Sequence, residues 1–96
     1  MKGRDMTTRD EKLKSITKHF GIQSQMAKTL EELGELIAEL ARDVNRGDEC
    51  LTEGTLQEME DVYVMLGQLL LSHDYKLEID KKIDRTIERI ENGYYD

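Results

Sequence analysis

Apolar positions along the chain recur at intervals of three and four, the period of helices that bury one side. Thr8-Arg9-Asp10-Glu11 has the form of a capping box, a hydroxyl at the cap with a carboxylate three residues on. It predicts a first helix through Leu13 and Ile16 to Phe20, ending near Gly21. A second runs from about Ile22 to Arg46, with Met26, Leu30, Leu33, Ile37, Leu40 and Val44 as its stripe and Gly47 as its stop. After a short polar loop from Gly47 to Gly54, a third begins near Thr55 and carries Leu56, Met59, Val62, Tyr63, Leu66 and Leu70. Ser72-His73-Asp74 reads as a turn. The fourth carries Leu77, Ile79, Ile83, Ile87 and Ile90 and stops at Gly93, and the tail Tyr94-Tyr95-Asp96 carries no structural signal. Short loops between long helices favour antiparallel neighbours. The expected fold is one all-α domain, a four-helix bundle-like unit with a core of about residues 8–92 and flexible ends.

Composition strengthens this reading. The chain has no proline, few aromatics and many Leu, Ile, Glu and Lys residues, a mix that favours helices. At 96 residues it is one domain at most, and a lone copy buries a modest fraction of its surface. Val62, Met65 and Leu69 give the third helix a second apolar surface, so that helix is expected to be central or buried in an oligomer, a homodimer or homotetramer. The net charge of −7 disfavours a nucleic-acid partner but not a phosphorylated substrate, because a bound cation inverts the local field. Cys50 is the only cysteine, so neither an internal disulfide nor a Cys/His zinc cluster can form. No apolar stretch reaches membrane-spanning length, and a cytoplasmic protein with no membrane partner is expected.

The chemistry lies in the carboxylates. Glu32 and Glu35 are three apart on the second helix, and Glu58 and Asp61 are three apart on the third. Such pairs project to one side of a helix and can share a cation. Oxygen ligands of this kind suit Mg²⁺ or Mn²⁺ and not zinc. A plainer reading competes. The apolar stripe of the second helix lies opposite Glu32, Glu35 and Glu39, which makes a solvated acidic face. Glu58, at the edge of the Val62, Met65 and Leu69 surface, fits that plainer reading less well.

Gln25-x-x-Lys28-x-x-Glu31-Glu32-x-x-Glu35 resembles the first motif of the MazG-like nucleoside triphosphate pyrophosphohydrolases. Glu58-Met59-Glu60-Asp61-Val62, followed by Met65-Leu66, resembles their second, and Lys82 to Ile90 is similar to the basic helix that closes short members. Two positions depart from the pattern: Tyr63, where relatives often have an acidic residue, and Glu60, where a small residue is common. The resemblance implies a helical bundle that hydrolyses a nucleoside triphosphate to monophosphate and pyrophosphate. It implies Glu32, Glu35, Glu58 and Asp61 as Mg²⁺ ligands, one of them acting as an unassigned general base. It also implies Lys82, Arg85 and Arg89 as phosphate ligands, although at their spacing they also suit the helix dipole and pairing with Asp84 and Glu88. Phosphoribosyl-ATP pyrophosphohydrolase and a non-catalytic helical interaction module are the alternatives.

The other conspicuous residues have structural readings. Lys28 is expected to pair with Glu32, and Glu31 and Glu39 to be solvated. His19, His73 and Cys50 are expected at the surface, and the methionines in the core. Gly34, inside a helix, is expected to mark close helix approach.

Overall fold

The computed structural model describes residues 8–47, 49–73 and 77–96. All regular structure among them is helical: α1 (Arg9–Phe20), α2 (Ile22–Arg46), α3 (Glu53–Ser72) and α4 (Ile79–Glu91). The capping box forms as read. Thr8 Oγ1 accepts from the Glu11 amide at 3.1 Å, and the Glu11 carboxylate accepts from the Thr8 amide at 3.2 Å. Gly21, at φ 90°, makes the junction that lets α2 start one residue after α1 ends. Gly47, at φ 73°, closes α2 in the left-handed conformation. The third helix starts two residues earlier than its apolar pattern suggests because Thr52 caps it, accepting from the Thr55 amide at 3.4 Å. Asp74 lies outside the described residues; Ser72 still belongs to α3 and His73 caps it. The C-terminal tail, where the sequence carries no structural signal, folds back on α4 in turns. The Tyr94 amide donates to the Arg89 carbonyl at 2.9 Å, and the Arg89 guanidinium lies over the Tyr94 ring.

Helix α3 is central, packing on both α2 and α1, while α4 packs on none of the other three. The side-chain links Asp43 to Thr55, Glu32 to Asp61 and Gln25 to Gln68 run in reverse order along α2 and α3, so these two helices are antiparallel. Asp43 ties their connection. It accepts from the Thr55 hydroxyl at 2.7 Å and from the Thr52 amide at 3.2 Å, and it pairs with Arg46. Toward the other end, the Gln68 carbonyl oxygen accepts from Gln25 Nε2 at 2.8 Å and from the Thr17 hydroxyl at 3.1 Å, joining three helices through one buried amide. Close backbone approach occurs at Gly67, where a Cβ would lie 2.9 Å from the Leu13 side chain. It does not occur at Gly34, where a Cβ would meet nothing within 4 Å.

The orientation of α2 overturns the simplest use of its pattern. Its buried residues are Gln25, Thr29, Glu32 and Asp43, all polar. Leu30, Ile37 and Val44 are 73%, 67% and 74% exposed, and Met26 is half exposed. Four of the six stripe residues, Met26, Leu30, Ile37 and Val44, are therefore turned out to solvent while Leu33 and Leu40 stay half-buried, and the acidic side is turned toward α3 at Glu32. Among the described residues the only buried hydrophobic side chains are Val62 and Met65, both on α3. Met26 and Met59 are exposed, so the expectation of methionine as core filler holds for Met65 alone of these three. No helix among the described residues is long and apolar enough to cross a membrane.

Candidate metal centre

Turning α2 in this way sets its first acidic pair against the second pair on α3. Glu32, Glu58 and Asp61 each offer a carboxylate oxygen, and these atoms all lie within 4.8 Å of one another. Glu32 is buried, Glu58 half-buried and Asp61 exposed, so the cluster opens to solvent on the Asp61 side. The reading of a wholly solvated acidic face fails at Glu32. Glu58 sits, as its position beside Val62, Met65 and Leu69 suggested, at the border of the apolar surface.

Two carboxylate oxygens of these residues are orphaned. Glu32 Oε2 and Glu58 Oε2 are both shielded from water and accept no hydrogen bond. A buried acceptor without a partner is unfavourable by roughly 1–3 kcal/mol and more when charged. The other Glu32 oxygen has a partner in Lys28, whose ammonium stands 3.2 Å away and also reaches Glu31 at 3.6 Å. That hydrogen bond to Glu32, with the charges of Glu31 and Glu32, raises the Lys28 pKa. Burial is the main cause that pushes the Glu58 carboxyl up from its ordinary value. The Glu35 charge, a hydrogen bond shared with Glu35, and the charges of Glu32 and Asp61 all act in the same direction. Glu35 itself is exposed and lies outside the close trio, acting on the site through its charge on Glu58.

The donor set is all carboxylate, which fits a hard divalent cation. A cation there would neutralise the mutual repulsion of carboxylates that hold two unpartnered buried oxygens. The fit therefore rests on burial and partnering as well as on spacing. Glu39, half-buried, pairs with Arg42, and Glu31 is exposed, so neither joins the cluster. Lys82, Arg85 and Arg89 ride on α4, and one chain does not bring them against the carboxylates. His19, His73 and Cys50 are at the surface as expected.

Two side-chain pairings that position the site were missed from the sequence, although Gln25 stands in the first motif and Thr55 at the start of the third helix. Asp43 with Thr55 fixes the α2–α3 connection, and Gln25 with Gln68 fixes the register at the far end. Gln68, a lone polar residue in the run Met65 to Leu71, was the one signal available.

No family model matches the chain, and no curated protein or solved structure matches it.

Proposed function

We propose that this chain is a Mg²⁺-dependent nucleoside triphosphate pyrophosphohydrolase of the MazG-like kind, releasing pyrophosphate and a nucleoside monophosphate. The observation that carries the reading is the convergence of Glu32, Glu58 and Asp61 from two helices, with two buried oxygens left unpartnered. Three motifs in the order and spacing of that family support it.

A divalent cation held there, Mg²⁺ or Mn²⁺, supplies neutralisation and Lewis-acid polarisation of phosphate oxygens. Glu32, Glu58 and Asp61 are the residues that would hold it, with Lys28 orienting Glu32 through their ion pair. Glu35 is the candidate general base. Its carboxylate is exposed to water and its charge acts on Glu58, so it stands beside the cluster where it could take a proton from an attacking water. The roles of Lys82, Arg85 and Arg89 in neutralising the leaving pyrophosphate require α4 to approach the cluster from outside the arrangement seen in one chain.

Pyrophosphate release from a panel of NTPs, dNTPs and phosphoribosyl-ATP, with Mg²⁺ and with chelator, tests the reading. Cation-dependent release from a nucleoside triphosphate, lost in Glu58→Gln and Asp61→Asn, is the expected result. Release from phosphoribosyl-ATP alone selects the related enzyme, and silence across the panel leaves a non-catalytic interaction module.

A further inference from the structure

Lys28 holds a carboxylate that a bound cation would claim. Its ammonium stands 3.2 Å from Glu32 Oε1 and 3.6 Å from Glu31. Among the described residues this is the only ion pair made to any of Glu32, Glu58 and Asp61. The two ends of the pair are unlike. The Glu32 side chain is 10% exposed and set on the side of α2 that meets α3, whereas the Lys28 side chain is 48% exposed on a flexible four-carbon stem. Competition for Glu32 therefore moves the lysine and leaves the carboxylate in place. Glu31, itself exposed, is a second anion already within reach, so the ammonium has somewhere to go.

We propose that Lys28 is a resident counter-ion of the metal-free site, displaced from Glu32 when a divalent cation binds and then free to hold a phosphate of the substrate. The inference rests on the cation site proposed above and adds a residue that couples cation to phosphate. Charge supports it. The three carboxylates and the ammonium carry a formal charge of −2, which repels a phosphate. A divalent cation brings that charge to zero and neutralises the carboxylate that the ammonium had been serving. A freed ammonium beside a bound cation is a compact point charge with three donors, suited to phosphate oxygens. Placement agrees. Lys28 lies four residues from Glu32, roughly 40° round and about 6 Å along the helix. The links from Glu32 to Asp61 and from Gln25 to Gln68 set it past the Asp61 end of the cluster, where the site opens to solvent. At that level α3 carries Val64 and Met65, neither of them charged. Lysine suits the role better than arginine, whose planar fork grips a carboxylate through two hydrogen bonds and resists displacement. Lys82, Arg85 and Arg89 ride on α4, which packs on no other helix, so within one chain Lys28 is the cation at hand.

Mn²⁺ titration read by electron paramagnetic resonance, with thermal melts followed by circular dichroism, tests this on the wild type, Lys28→Met, Lys28→Arg and Lys81→Met. Lys81 pairs with Glu78 at 3.0 Å on α4 and controls for the loss of a distant charge. Lys28→Met should bind Mn²⁺ at least threefold more tightly than the wild type, and Lys28→Arg and Lys81→Met should show no such gain. Without metal Lys28→Met should melt below the wild type, and saturating Mg²⁺ should close that deficit. Orthophosphate added to the Mg²⁺-saturated proteins should raise the melting temperature of the wild type more than that of Lys28→Met. Mn²⁺ binding by Lys28→Met that is unchanged or weaker overturns the inference, as does a deficit that Mg²⁺ leaves untouched; the pair is then structural. An equal response to orthophosphate overturns the phosphate role. Absence of Mn²⁺ binding in all four proteins is a different result: the cation site itself fails, and this inference with it. No readout requires turnover, so failure of the proposed hydrolysis is recorded separately.

Discussion

Glu58 and Asp43 pull the pH dependence of stability in opposite directions. The folded Glu58 carboxyl titrates above its ordinary range, chiefly from burial and then from its acidic neighbours. Below its ordinary pKa it is protonated whether folded or not, and it carries no penalty. As pH rises past that value the unfolded chain ionises freely while the fold resists, so stability falls until the folded group has ionised. Asp43 is lowered, first by its hydrogen bond from Thr55. The stability it contributes is present above its ordinary pKa and is lost as pH falls through its folded value. Metal-free protein should therefore melt highest near about pH 4, between the ordinary values of the two groups, about 3.9 for Asp and 4.3 for Glu. Calorimetric scans from pH 3 to 8 check this. Glu58→Gln should raise the melting temperature at pH 7.5 and flatten the fall above pH 5. A lower melting temperature for that variant would make Glu58 a structural hydrogen-bond partner. Thr55→Val keeps the shape of a fully buried side chain and removes its hydrogen bond to a carboxylate. A loss of about 1.5–3 kcal/mol in urea denaturation is expected.

At the scale of elements, α1 is tied to α3 by the Thr17–Gln68 hydrogen bond and by the close passage of Leu13 over Gly67. Gln68→Leu orphans Gln25 Nε2 and takes one of two partners from the Thr17 hydroxyl, which still reaches the Leu13 carbonyl. It should destabilise by about 1–3 kcal/mol, and adding Gln25→Leu should recover part of that, because removing both partners of a buried bond is nearly neutral. A double-mutant cycle in urea measures the difference. Helix positions were legible because caps and apolar spacing are local: Thr8 with Glu11, Gly21 and Gly47 all act within one turn. The rotation of α2 was not legible. A three-four stripe shows that one side of a helix avoids water, but it does not say whether the cover lies in the same chain. Leu30, Ile37 and Val44 were read as facing the core and face outward. For the same reason Glu32 was legible as one of a pair but not as buried, since its burial follows from the register set by Asp43–Thr55 and Gln25–Gln68. Gly34 was expected to mark close approach, which within the chain falls at Gly67.

The whole molecule is extended, 57 × 32 × 24 Å, around a core in which buried polar side chains outnumber buried apolar ones among the described residues. A chain built this way draws on what binds it. A cation that binds only the folded form adds RT ln(1 + [L]/Kd), about 2.7 kcal/mol at a hundred times Kd. Melting temperature should rise with Mg²⁺ concentration, and monovalent salt at equal ionic strength should give a smaller rise by screening alone. The central claim is that Glu32, Glu58 and Asp61 form one cation site. Its most direct test is Mn²⁺ titration read by the electron paramagnetic resonance of the free ion, on wild type and on Glu32→Gln, Glu58→Gln and Asp61→Asn. Saturable binding in the wild type, weakened at least tenfold in each variant while helical circular dichroism is unchanged, is the predicted result. Equal Mn²⁺ uptake by the wild type and all three variants would contradict it.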